Sequence, residues 1–139
     1  MNRWLFKTEP TTYSFQKLLK DGKTLWDGVK NPLALKHLAS IRKGDPILIY
    51  HTGSDRQIVG LARAASNPFA DPRKKNPKLL VIELEPDRAL KSPLPLSLIK
   101  ADSRFKNFDL VRIGRLSIMP VPDSLWSALL RADGGQAPV

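Results

Sequence analysis

Asp45-Pro46-Ile47-Leu48-Ile49-Tyr50-His51-Thr52-Gly53-Ser54-Asp55, with Gln57 to Ala65 behind it, is the stretch that decides the fold. Ile47 to His51 is a short apolar run rich in branched side chains, the pattern of a buried strand. Thr52 to Asp55 has turn chemistry: Gly53 can take positive φ, and Ser and Asp bond to their own backbone. Gln57 to Ala65 (Q-I-V-G-L-A-R-A-A) returns as a second strand, giving a hairpin with a loop of about four to five residues.

Upstream, Arg3 to Thr8 reads as a short strand that Glu9-Pro10 ends, since Pro10 has no ladder donor. Ser14 caps a helix through Leu19, with Phe15, Leu18 and Leu19 on one face and Gly22 as its stop. Thr24 to Val29 carries no clear period. Asn31-Pro32 pairs an N-cap with a proline at the first helical position. Ala34, Leu38 and Ile41 give that helix its apolar face, and Gly44 closes it.

Downstream, Asn67-Pro68, Asp71-Pro72 and Asn76-Pro77 punctuate an exposed basic loop. Lys78 to Leu84 is a strand, followed by a proline-rich crossing (Pro86, Pro93, Pro95) and a helical turn at Leu96 to Ala101. Leu116 to Met119 is a late strand. Pro122-Asp123-Ser124 opens a terminal helix carrying Leu125, Trp126, Leu129 and Leu130. The expected domain is 1–132, with a short flexible tail at 133–139. Short strands, short helices and no repeated βαβ rhythm argue for a mixed α+β domain with a curled sheet or barrel.

The 139 residues suit one domain, and 42% hydrophobic with 26% charged residues is the composition of a folded globule. The absence of cysteine excludes disulfides, thiolate nucleophiles and cysteine-bearing metal sites. Two histidines are too few for a three-histidine centre, so neither metal nor cofactor is expected. Apolar runs fall far short of the ~20 residues of a membrane span. Lys7 and Glu9 interrupt the N-terminal apolar stretch, which argues against a secretory signal and for a soluble, cytoplasmic protein.

Lys and Arg number 23 against 13 Asp and Glu, a net charge of +10. That excess favours polyanionic partners, nucleic acid first, because each neutralised phosphate releases counterions. A merely solvated surface is the plainer alternative. Arg73, Lys74, Lys75 and Lys78 form one basic cluster; Arg104, Lys106, Arg112 and Arg115 form another.

Trp4 and Trp126 lie among apolar residues and read as core. Trp26, in a Trp-Asp-Gly-Val turn, is either a core plug or an exposed stacking platform, with stacking on a base contributing ~1–3 kcal/mol. Phe69 lies in a loop without period and is either a local anchor or one wall of an aromatic slot. Lys7 and Glu9 are two apart on a strand and share a face, as a weak surface ion pair or as a polar rim that reads a ligand. His51, Thr52, Ser54 and Asp55 hold triad residue types, yet a tight turn cannot give them relay geometry and no nucleophile elbow is present. Walker A, GxGxxG and HExxH motifs are absent. Asp21, Asp27 and Asp45 fall in turns, where Asp caps or closes.

Trp4 to Pro10 (W-L-F-K-T-E-P), Tyr13-Ser14-Phe15, Trp26 to Asn31 (W-D-G-V-K-N), Tyr50 to Gly53 (Y-H-T-G), Ile58 to Ala62 (I-V-G-L-A) and Ser117 to Pro122 (S-I-M-P-V-P) resemble the EVE domain family. The resemblance runs in order over essentially the whole chain. It implies a PUA-like β-barrel of about five to six strands flanked by short helices, related to the YTH domain. It also implies a non-catalytic binder of modified bases in DNA or RNA. By position, Trp26 becomes one wall of a base pocket and Phe69 a second wall. Asn31 supplies an amide for a base edge. Lys7, Glu9, His51 and Thr52 form the polar lining, while Gly28 lets backbone approach the ligand. Arg73, Lys74, Lys75 and Lys78 would hold flanking phosphates. The sequence departs from the family at Leu33 and Leu35, where polar or basic residues are common.

On this reading the base is flipped into the pocket, and a partner protein that acts as effector is compatible with it. Two rivals stand beside it. One is an enzyme acting on nucleic acid or a nucleotide, with His51 and Glu9 as acid and base. The other is a module for a free nucleobase or small metabolite.

Overall fold

The apolar, aromatic run near the N-terminus forms β1 (Trp4–Thr8), and the deciding hairpin forms β3 (Pro46–His51) and β4 (Gln57–Ala64). These elements come from a computed structural model that describes residues 2–132, so the tail expected at 133–139 lies outside the described residues. β1 pairs parallel with β3, and β3 antiparallel with β4. With β2 (Thr24–Trp26), β5 (Phe69–Ala70), β6 (Leu80–Pro95) and β7 (Ile118–Pro120), they make a seven-stranded sheet ordered β2-β6-β4-β3-β1-β7, with β5 on β6. The fold is a curled, mixed half-barrel of the PUA-like α+β type, open because its terminal strands β2 and β7 do not pair.

Among the described residues five α-helices flank the sheet: α1 (Phe15–Asp21), α2 (Pro32–Ala39), α3 (Leu96–Ala101), α4 (Asp109–Arg112) and α5 (Asp123–Ala132). Ser14 caps α1 by accepting from the Lys17 N–H, and Gly22 ends it at φ 75°. Phe15 and Leu18 are buried, whereas Leu19 is 43% exposed, because α1 buries only a narrow stripe. α2 starts as its sequence indicates, with Asn31 Oδ1 accepting from the Ala34 N–H and Pro32 next. It stops at Ser40 rather than reaching Gly44; Ile41 is still buried, but from the following turn. α2 packs against both β6 and β7, so it closes the side the open sheet leaves uncovered.

The largest departure from the sequence reading is β6. Its 16 residues run straight through the prolines that read as a crossing. Two irregularities against β4 accommodate them. Pro86 stands opposite Ala62 at a register shift, and Pro93 falls in the bulged stretch between Ala89 and Leu94. A bulge leaves residues unpaired, so a missing N–H costs nothing there. A bulge at Val59 does the same between β3 and β4.

The core runs from Leu5 and Phe6 through Ile47 to Ile49 and Ile82 to Ile118 and Met119. Trp4 and Trp126 are buried, as their settings indicate. Trp4 Nε1–H donates to the buried Asp45 carboxylate at 3.0 Å, which also accepts from the Arg42 N–H. No buried side-chain polar atom is left without a partner among the described residues. None of the described helices is long and apolar enough to cross a membrane.

Candidate functional site

β1 and the segment after it build the site. Lys7 points to the Gly114 carbonyl, donating from Nζ at 2.9 Å, and lies 5.7 Å from the centroid of the Tyr50 ring. Burial lowers the pKa of its ammonium from the usual lysine value. Beyond Thr8 the chain curls back, and the Thr12 and Tyr13 N–H groups both donate to the Glu9 carbonyl at 2.9 Å. Thr8 Oγ1–H donates to the Tyr13 carbonyl at 2.7 Å, so the loop is fastened at both ends.

Tyr13 is thereby fixed beside Trp26. The two rings stand 6.1 Å apart at 88°, and Phe6 meets Trp26 in a second edge contact at 5.5 Å. Such pairs contribute ~0.5–1.5 kcal/mol beyond burial. The half-buried Trp26 is therefore both anchored and available, the two roles its sequence setting left open. Tyr13 O–H donates to Asp21 at 2.9 Å, and burial raises its pKa.

Lys7, Thr8, Glu9, Tyr13, Trp26 and Asp27 line a cleft of about 390 Å³, with Thr12, Thr24 and Leu25 completing it. That volume falls in the range of small-ligand sites. The cleft offers an aromatic surface, an ammonium, two carboxylates and three threonine hydroxyls. A planar heterocycle with donor and acceptor edges matches this set.

Glu9 is positioned from the β3–β4 loop. Thr52 Oγ1–H donates to it at 3.1 Å, as does Thr11 Oγ1–H. Gly53, at φ 71°, lies so close that a Cβ there would stand 2.6 Å from Glu9 Oε2. Glycine suits the backbone at that position, and a Cβ there would push the Glu9 carboxylate from its place.

The structure thus gathers Lys7, Glu9 and Trp26 in one cleft, with Thr52 bracing Glu9 from behind. Other residues singled out in the sequence lie elsewhere. Phe69 pairs with Val81, and Trp26 with Ile82. Directly opposed residues share a face and successive ones alternate, so Phe69 and Trp26 lie on opposite faces of the sheet. Phe69 is 39% exposed and no second wall; Tyr13 takes that place. Asn31 commits its Oδ1 to the α2 cap and does not line the cleft. Gly28 takes φ 77° in the turn after β2, also outside the lining.

His51 is only 3% exposed. Its Nε2 accepts from the Phe15 N–H at 3.0 Å, which places the ring proton on Nδ1, donated to Asp55 at 3.1 Å. Both nitrogens are engaged in tying α1 to the end of β3, and neither is left to move a proton for a ligand.

Arg73 is similarly committed. It donates to Asp27 at 2.6 Å and to Asp71 at 3.0 Å, which pushes its own pKa up and holds the Asp71 carboxyl below its usual range. The basic loop is thereby pinned to the rim of the cleft through Asp27. Lys74, Lys75 and Lys78 remain exposed. Leu33 is exposed and Leu35 partly buried against the core; neither lines the cleft.

Tyr13, Thr12, Thr24 and Asp27 were not singled out from the sequence as lining residues. Tyr13 carried a signal, an aromatic in a polar loop, but its partner lies 13 residues on and meets it only through the fold.

The curled, mixed half-barrel with its short flanking helices is that of a PUA-like fold. The family model described as EVE domain matches residues 2–132, and the chain belongs to the EVE domain family. It resembles Rpa0253 of Rhodopseudomonas palustris, with 30% identity and a TM-score of 0.91 over 96% of this chain and 94% of that one. Human thymocyte nuclear protein 1 is 28% identical over 93% of this chain and 72% of its own length. The structure of human THYN1 in complex with 5-methylcytosine-containing DNA superimposes with a TM-score of 0.90 at 24% identity, covering 98% and 99% of the two chains.

Proposed function

We propose that this EVE domain is a non-catalytic reader of nucleic acid that takes a single, modified base, turned out of its stack, into the cleft beside Trp26. The observation that carries this reading is the cleft's composition, an aromatic surface set among two carboxylates and one half-buried lysine. The human relative's complex with 5-methylcytosine-containing DNA supports the same partner class.

The chemistry follows from the lining. A base leaving its stack costs a few kcal/mol, and stacking on Trp26 offsets ~1–3 kcal/mol of that. Glu9 and Asp27 are acceptors for an exocyclic amine, as acidic side chains are for the cytosine amino group. Lys7 is a donor for a ring nitrogen or carbonyl. A methyl group on the base that meets an apolar part of the lining gains ~0.8 kcal/mol. So small an increment leaves discrimination mostly to the polar contacts and the shape of the cleft.

The deciding experiment is a binding titration with matched single- and double-stranded DNA and RNA, plain and 5-methylcytosine-containing, at two salt concentrations. Preference for one modified base that persists at the higher salt, and a loss of about 5- to 150-fold in Trp26→Ala, are expected. Affinity that follows salt alone, equally in both proteins, would overturn the assignment.

A further inference from the structure

Lys7 lines a second depression as well, of about 230 Å³, with Arg56 from the β3–β4 loop and Lys100 from the end of α3. Leu96 and Leu110, both buried, form its apolar part. Three cations therefore converge on one concavity that shares a residue with the aromatic cleft.

Their electrostatic situation is unlike that of the basic residues held in ion pairs. Arg3, Lys17, Arg63, Arg73, Arg104 and Arg112 are all paired with carboxylates. Among the described residues, no carboxylate lies within ion-pair distance of Lys7, Arg56 or Lys100. Asp55 lines the adjoining depression with Arg56 and Lys100, but it accepts the His51 Nδ1 proton. Glu9 is held by Thr11 and Thr52.

Two of the three cations, Lys7 and Arg56, are also placed by the fold. Tyr50 lines the same depression, its ring 5.7 Å from the Lys7 ammonium. Arg56 has φ 48°, the one non-glycine residue at positive φ among those described, and its carbonyl accepts from the Leu96 N–H at 2.9 Å. A left-handed arginine is kept only where its surroundings hold it, and such residues cluster at binding sites. Like charges gathered without a counter-ion in a concave surface focus a positive potential.

We propose that this depression is the phosphate-anchoring site of the domain. It takes a phosphodiester of the strand whose base enters the aromatic cleft, with Arg56 and Lys100 as contact groups and Lys7 joining the two sites. This rests on the proposed reading of the aromatic cleft. It moves the principal phosphate contact away from the 73–78 loop, where Arg73 is already engaged.

The test compares Arg56→Gly and Lys100→Gln with the wild-type chain in titrations of a modified single-stranded oligonucleotide across a salt series. Glycine adopts positive φ freely, so Arg56→Gly removes the guanidinium without adding strain. Each variant is expected to weaken binding about 3- to 10-fold at low salt, with the salt slope reduced by about one and base preference intact. An unchanged slope in both variants, with the wild type binding, overturns the site. If the wild-type chain binds no oligonucleotide, the reader hypothesis fails separately, and inorganic phosphate becomes the probe. Saturable amide shifts at residues 56 and 100 that vanish in Lys100→Gln then retain an anion site, and their absence discards it.

Discussion

Tyr13 stands perpendicular to Trp26, ring planes 88° apart and centroids 6.1 Å apart, although the two come from different elements. The contact exists because Thr8 and Glu9 tie the loop after β1 back upon itself. It makes Tyr13 the support that orients the indole at the cleft.

Replacing Tyr13 should separate ring from hydroxyl. Tyr13→Phe keeps the edge contact and loses only the bond to Asp21, so stability falls by about 0.5–1.5 kcal/mol with base affinity unchanged. Tyr13→Ala removes the support, and affinity should drop about 2- to 12-fold, the equivalent of an aromatic pair. Oligonucleotide titration beside urea unfolding reads both. Equal affinity in the two variants would mean that Trp26 needs no brace.

His51 should matter to the fold and not to ligand chemistry. His51→Ala leaves the Phe15 N–H buried without its acceptor, a loss of about 1–3 kcal/mol in urea unfolding. Affinity, measured where the variant is fully folded, should stay within about twofold of the wild type. A larger loss of binding at preserved stability would return the imidazole to the site.

The Asp71–Arg73 pair sets an acid-side dependence. The side-chain bond from Arg73 is the main reason that the Asp71 carboxyl titrates below its ordinary value of 3.8. A depressed carboxyl contributes stability that is present above its unfolded pKa and lost as pH falls through the folded one. The wild-type urea midpoint should therefore fall from about pH 4 downward more steeply than that of Arg73→Gln. Carboxyl carbon shifts of Asp71 should move up in pH in the variant. Parallel curves and an unmoved shift would show that the pair carries no such linkage.

Much of this architecture was legible because its signals are local. Ser14 and Gly22 bracket α1, Asn31 and Pro32 start α2, and the run from Ile47 to Ala64 pairs as its turn chemistry requires. A cap, a turn or a proline acts within about four residues, so its meaning is written in its neighbours. Prolines misled at β6 for the same reason. Their local meaning is to break a strand, and only the bulges against β4 make them tolerable.

From the sequence alone came β1, α1, α2, the β3–β4 hairpin, the terminal helix and the positive charge, and its resemblance to the EVE domain family added three members of the cleft, Lys7, Glu9 and Trp26. Tertiary structure alone decided that Tyr13 rather than Phe69 faces Trp26, that His51 is internal, and that Arg56 and Lys100 converge with Lys7. Those outcomes depend on which loops, helix ends and strand faces the fold brings together across long sequence separations, strand register among them. A shift of one residue turns a side chain to the opposite face, and no property of the residue itself records which face it will take.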